Sequence, residues 1–238
     1  MLGSLLLVSL APVLIAAIYI YIRDKYEREP FELLLKALFT GILIVLPVVL
    51  IENILISFSV QFEGLLKVAY DSFIVASLTE EGFKFLGFIL IFWPNTNFNE
   101  KFDGIVYAVF ISLGFAAIEN IFYVFRGGIN IGILRALTAV PAHALFGTVM
   151  GYYFGLARFY PDMRHKYLIL SLLLPFIWHG LYDFLLLGQH QLLLLLFIPF
   201  IALFWINGFH KMKKLSDASV FRNADIIQTD NPGKIDIK

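Results

Sequence analysis

The stretch FIVASLTEEGFKFLGFILIFW, Phe73–Trp93, decides how this chain is read. It is apolar over a length that crosses a bilayer, yet Glu80, Glu81 and Lys84 interrupt it. One ionisable side chain at the bilayer centre costs about 2.5–3.5 kcal/mol even on the lenient insertion scale. Three of them on one lipid-facing helix would not be tolerated. The segment therefore belongs inside a bundle, where other helices bring polar groups to meet it.

The rest of the chain supplies that bundle. Hydrophobic residues make up 60% of the 238, only 15% are charged, and the mean hydropathy is +0.82. A soluble domain is nearer half apolar and a quarter charged. Apolar runs of roughly the ~20 residues needed for a span recur along most of the chain. They predict seven spans, near Leu2–Ile22, Phe31–Ile56, Val68–Phe92, Gly104–Phe125, Ile133–Ala157, Tyr167–Leu187 and Gln191–Phe209. The expected fold is an all-α, polytopic transmembrane bundle with one transmembrane domain over 1–209, its motif core at 77–187, and a polar tail over 210–238. The first run lacks a basic leader and is read as a retained helix rather than a signal peptide.

Basic residues give the expected orientation. Arg23, Lys25, Arg28, Lys101, Arg158, Arg164, Lys166, Lys211, Lys213 and Lys214 fall on one parity of connection, against Lys67 and Arg126 on the other. The positive-inside rule then puts the N-terminus outside and the tail in the cytoplasm. The bilayer is the evident partner. Nothing suggests nucleic acid, and the oligomeric state is not legible. The absence of cysteine excludes disulfides, thiol nucleophiles and cysteine-ligated zinc.

Glu80, Glu81, Lys84, Glu119 and Asp183 all fall within predicted spans, together with His143 and His179. Glu80 and Glu81 stand four and three residues before Lys84, and His179 stands four before Asp183, so each set shares a helix face. Gly147, Gly151 and Gly155 continue the face of His143 as a small-residue stripe that admits a close neighbour. Pro141 and Pro175 precede the two histidines and are expected to kink their helices. At ~1.5 Å per residue, the acids and histidines lie within about 10–12 Å of one level, toward the extracytoplasmic leaflet. Glu52 and Asp71 read as interfacial, and Asp103 and Arg135 as helix-end or orienting charges.

Carboxylates and imidazoles around a wet pocket suit amide hydrolysis. Glu80 would take a proton from water, the histidines would hold that water or stabilise the oxyanion, and Asp183 would orient an imidazole. Buried acids and histidines also serve proton-coupled transporters or channels, the alternative reading. Those folds carry inverted repeats, and only the four-residue echo IENI, at Ile51–Ile54 and Ile118–Ile121, hints at one.

Four motifs in order, EEGFK at Glu80–Lys84, DGIVYAVFISLGFAAIENIFY at Asp103–Tyr123, HALFG at His143–Gly147 and HGLYD at His179–Asp183, resemble the PrsW-type intramembrane proteases. These belong to a superfamily with the CAAX-processing membrane endopeptidases. The resemblance implies a glutamic-type membrane protease of the bacterial cytoplasmic membrane. Its substrates would be membrane-anchored regulators such as anti-sigma factors, cut near the extracytoplasmic side. Carried onto this sequence, Glu80 is the general base, Glu81 its neighbour tied to Lys84, and His143 and His179 complete the site. Asp183 and Glu119 support them, Glu119 standing where the superfamily commonly has a histidine, with Lys84 and Asn120 as structural aids. No cofactor is expected. If zinc were bound, His143, His179 and Glu80 would be its ligands, although no His-Glu-x-x-His motif is present.

Overall fold

Backbone that enters hydrocarbon must satisfy its hydrogen bonds internally, and apolar runs of this length do so as helices. The computed structural model describes residues 2–222, and those residues form helices with no strand among them. In chain order they are α1 (Leu2–Arg23), α2 (Phe31–Ile56), α3 (Gly64–Ala69), a π-helical turn (Tyr70–Ser77), α4 (Leu78–Ile91), α5 (Lys101–Leu137), α6 (Ala139–Phe159), α7 (Arg164–Leu187) and α8 (Gln191–Asp217). By length and hydropathy, five stretches qualify as membrane spans: Leu2–Arg23, Phe31–Gln61, Lys101–Phe159, Pro161–Leu187 and Gln191–Asp217. The first eight residues of the expected polar tail, 210–217, are helical as part of α8, and 223–238 lie outside the described residues.

Helix α5 is the axis of the bundle. From Phe102 to Ala117 every residue is buried, so this helix is apolar all round rather than striped. Glycine makes its packing possible. A Cβ on Gly151 of α6 would collide with the carbonyl of Gly104, and one on Gly155 with that of Lys101. On the opposite flank, a Cβ on Gly41 of α2 would strike the Ile111 carbonyl, and one on Gly114 the Leu38 carbonyl. The sequence stripe at Gly147, Gly151 and Gly155 is thus the α5–α6 seam. Phe88 and Phe154 stack at 3.9 Å to close the base of α4 against α6. The outer faces of α1, α2 and α8 expose Leu7, Ile15, Leu43, Leu46, Leu195 and Ile198, as a lipid-facing surface requires.

Two expectations change here. The run Ile133–Ala157 is not one helix. Gly128 has φ 78° and ψ −173°, a conformation that is essentially glycine-only, and α6 starts only at Ala139. The residues after Gly128 double back along α5, because Arg135 lies 2.8 Å from Glu119, sixteen positions earlier. On an unbroken helix those positions would be about 24 Å apart. Pro141 kinks nothing, since it occupies the first turn of α6, where its missing N–H has no partner to lose. Pro175 does lie inside its helix, α7.

Candidate active site

The first turn of α4 carries Glu80 and Glu81, entered through the π-helical turn. Such turns are rare and cluster at functional sites, because the extra residue re-aims the following side chains. Ser77 at the end of the turn donates to the Phe176 carbonyl at 2.6 Å and so locks α4 to α7 one turn before His179. Gly180 presses its bare Cα against the Phe73 ring, where a Cβ would clash.

Lys84 is completely enclosed, and its ammonium donates to Glu81 Oε1 at 2.7 Å and to Glu80 Oε2 at 3.0 Å. It also lies 3.3 Å from Nδ1 of His143 and 4.4 Å from the centre of the Phe115 ring. An ammonium only donates, so Nδ1 of His143 accepts and its Nε2–H donates to Glu119 at 2.8 Å. Glu119 in turn receives Arg135 at 2.8 Å, while Arg135 Nε donates to Asn120 Oδ1 at 2.9 Å and the guanidinium covers Tyr123 at 4.0 Å. Asn120 is buried and donates to the Ser9 carbonyl at 2.7 Å, which ties α1 to the same network.

His179 continues the chain on the other side. Its Nδ1 lies 3.0 Å from Glu81 Oε1 and its Nε2 3.3 Å from Asp183 Oδ2. Carboxylates only accept, so a ring that satisfies both is an imidazolium. Phe146 stacks on it at 4.6 Å. The network thus runs unbroken from Arg135 through Glu119, His143, Lys84, Glu81 and His179 to Asp183. Glu80, Glu81, Glu119 and Asp183 face Lys84, Arg135 and the His179 imidazolium, which leaves a single excess negative charge. That near-balance explains how so many ionisable groups persist within the bundle.

All six sequence-predicted side chains, with Lys84 and Asn120, fall in this one constellation. Arg135 was read as an orienting charge, and the reversal at Gly128 brings it in as a member. Glu52 was read as interfacial, yet its electrostatic neighbours are Glu80, Glu119, His179 and Lys84, so α2 adds a half-buried carboxylate to the same region. The Gly127-Gly128 pair was the available signal for Arg135, since paired glycines within an apolar run mark a break. The conditional zinc set is also redrawn: the donor atoms that lie within 4.8 Å of one another come from Glu80, Glu81 and His179, not His143.

The sequence matches, over residues 29–206, the family described as PrsW family intramembrane metalloprotease. Relatives named Protease PrsW include those of Clostridioides difficile, 38% identical over 91% of this chain and 93% of the relative. That of Oceanobacillus iheyensis is 38% identical over 91% and 98%, and that of Bacillus subtilis 35% identical over 90% and 96%. No solved structure matches. With helices that suit a membrane and relatives alike over nearly their whole length, the chain belongs to the PrsW family of intramembrane proteases.

Proposed function

We propose that this protease is of the glutamic type and that Glu80 activates the attacking water. The observation that carries the reading is the asymmetry of the two carboxylates. Glu81 is fully enclosed and shares one oxygen between Lys84 and His179, whereas Glu80 retains 6% exposure and gives a single oxygen to Lys84. Each leaves one oxygen without a protein partner, but that of Glu81 is sealed off, so Glu80 alone of the pair can offer its carboxylate to water. It removes the water's proton as the oxygen attacks the scissile carbonyl carbon, then passes that proton to the amine as the C–N bond breaks. The His179 imidazolium and the Lys84 ammonium are fixed beside the centre, where they favour the oxyanion of the tetrahedral intermediate without reorganising. Glu81 and Asp183 hold the imidazolium, and Glu119 with Arg135 holds His143.

The family description raises the question of a metal. Glu80, Glu81 and His179 offer three donor atoms within 4.8 Å, but the Lys84 ammonium already bonds both carboxylates and both nitrogens of His179 face carboxylates. A second cation would have to enter against Lys84. That donor arrangement does not fit a catalytic metal, and the proposed steps use side chains alone.

The substrate in this reading is a membrane-anchored protein, of the anti-sigma-factor type, cut toward the face opposite the lysine- and arginine-rich connections. The test is cleavage of a membrane-anchored reporter in proteoliposomes by wild type, Glu80→Gln, Glu81→Gln and His179→Ala. Glu80→Gln should lower cleavage at least ~10³-fold while its melting temperature stays near wild type. Full activity in Glu80→Gln, or activity abolished by a chelator and restored by stoichiometric zinc, would sink the proposal.

A further inference from the structure

A second group of carboxylates lies at the other end of α5 and takes no part in this chemistry. The connection from α1 to α2 brings Asp24, Glu27 and Glu29 against Glu100 and Asp103 at the start of α5. Asp103 is sixteen residues before Glu119, so this cluster is about 24 Å from the reaction centre along the helix. Asp24, Glu29, Glu100 and Asp103 are each at most 4% exposed. Among the described residues, none of the five forms an ion pair with lysine or arginine. Nearby Lys25 and Arg28 lie over the rings of Tyr26 and Tyr21 instead.

Each side chain uses one oxygen well and leaves the other stranded. Asp103 Oδ2 accepts from the backbone N–H groups of Asn99 and Glu100 at 2.9 and 2.7 Å, an N-cap arrangement. Glu29 accepts from the Tyr107 hydroxyl, Asp24 Oδ2 from the Glu29 N–H at 3.0 Å, and Glu27 Oε1 from the Asn99 amide at 3.3 Å. The second oxygens, Asp24 Oδ1, Glu27 Oε2, Glu29 Oε1 and Asp103 Oδ1, are buried with no hydrogen-bond partner among the described residues. An orphaned buried carboxylate oxygen has lost its hydration and gained no donor in exchange. Four together call for something that only accepts electron pairs.

We propose that this pocket binds one hard divalent cation, of the calcium or magnesium kind, through Glu27, Glu29 and Asp103, with Asp24 at its margin. Oxygen atoms of the first three converge within 4.8 Å. Two oxygens on opposite sides of a calcium ion, each at ~2.3–2.6 Å, stand about 4.6–5.2 Å apart, so the cluster can close on such an ion with little movement. All donors are oxygen, with neither imidazole nor thiolate, which disfavours zinc. Bound there, the ion would staple the α1–α2 connection to the first turn of α5.

Terbium is the probe, because it replaces calcium at oxygen sites and is excited by a nearby tyrosine. Tyr107 is hydrogen-bonded to Glu29 and so is placed to sensitise it. Full-length protein in detergent should give saturable terbium emission that millimolar calcium or magnesium displaces. Its melting temperature should rise on addition of calcium or magnesium. Glu29→Gln and Asp103→Asn should weaken terbium binding at least ~10-fold, and Glu27→Gln, in a half-buried position that tolerates the change, should weaken it without loss of fold. Glu81→Gln should bind terbium as wild type does. The proposal is overturned if emission fails to saturate, if Glu27→Gln and Glu29→Gln both bind like wild type, or if Glu81→Gln alone abolishes binding. It is equally overturned if the melting temperature ignores both ions, the result expected of carboxylates that share protons instead.

Discussion

Removing the ammonium of Lys84 should damage the protein before it damages catalysis. The substitution Lys84→Met keeps the length and volume of an enclosed side chain but strips the charge from contacts at 2.7 and 3.0 Å to two carboxylates. At an effective dielectric near 20, a unit pair at that separation attracts by roughly 6 kcal/mol before desolvation. Breaking such a buried pair by deleting one partner typically costs about 3–5 kcal/mol, because the surviving charge is left uncompensated. Glu81, fully enclosed with Oε2 already unpartnered, bears most of that penalty, while Glu80 retains access to water. The double variant Glu81→Gln/Lys84→Met should therefore recover about 1–3 kcal/mol relative to the single one, a coupling in the range seen for residues in one network. Denaturant unfolding of purified protein in micelles measures both quantities, and reporter cleavage measures the outcome for activity, which should be absent in both variants. If Lys84→Met unfolds like wild type, or if the two substitutions simply add, the idea that one lysine stabilises two acids here is wrong.

Two other substitutions probe the supports. Arg135→Leu removes the bidentate hold on Glu119 and Asn120; reporter cleavage should fall about 10–100-fold, with Arg135→Lys intermediate because an ammonium cannot present the same planar fork. Equal rates in all three proteins would show that Arg135 does not position His143 through Glu119. Gly151→Leu drives a side chain into the Gly104 carbonyl and should destabilise by at least about 1–3 kcal/mol as judged by the melting temperature; an unchanged melt would mean that α5 and α6 can part there freely.

The helical class and the principal acids and histidines were legible because each buried charge in an apolar run needs partners from other runs. The periodicities of Glu80, Glu81 and Lys84, and of His179 and Asp183, gave whole faces. Arg135 and Glu52 were not legible. The membership of Arg135 depends on where the backbone leaves regular helix, at Gly128, and that of Glu52 on the rotation of the unbroken α2 against α5, packed at Gly41. Depth along a span can be counted from sequence, whereas rotation about its axis is set by packing. The acidic pocket around Asp103 was missed because its carboxylates lie outside the apolar runs, where charge is ordinary and burial alone makes it notable.

The glycine seam between α5 and α6 has a mechanical consequence. Backbone in contact with backbone leaves no side chains to repack, so these two helices can neither slide nor tilt without collision. Glu119 and His143 thus ride on a single stiff anvil. A substrate strand must still reach Glu80, so any door has to be hung on the remaining helices, α1, α2, α4, α7 and α8. Of these, α4 and α7 carry the other half of the proposed catalytic set, and the Ser77 hydroxyl and the Glu81–His179 contact fasten the two together beside Glu80. Opening for a substrate would then separate the two halves of the machinery, and closing would reassemble them, so that the centre is complete only with its door shut.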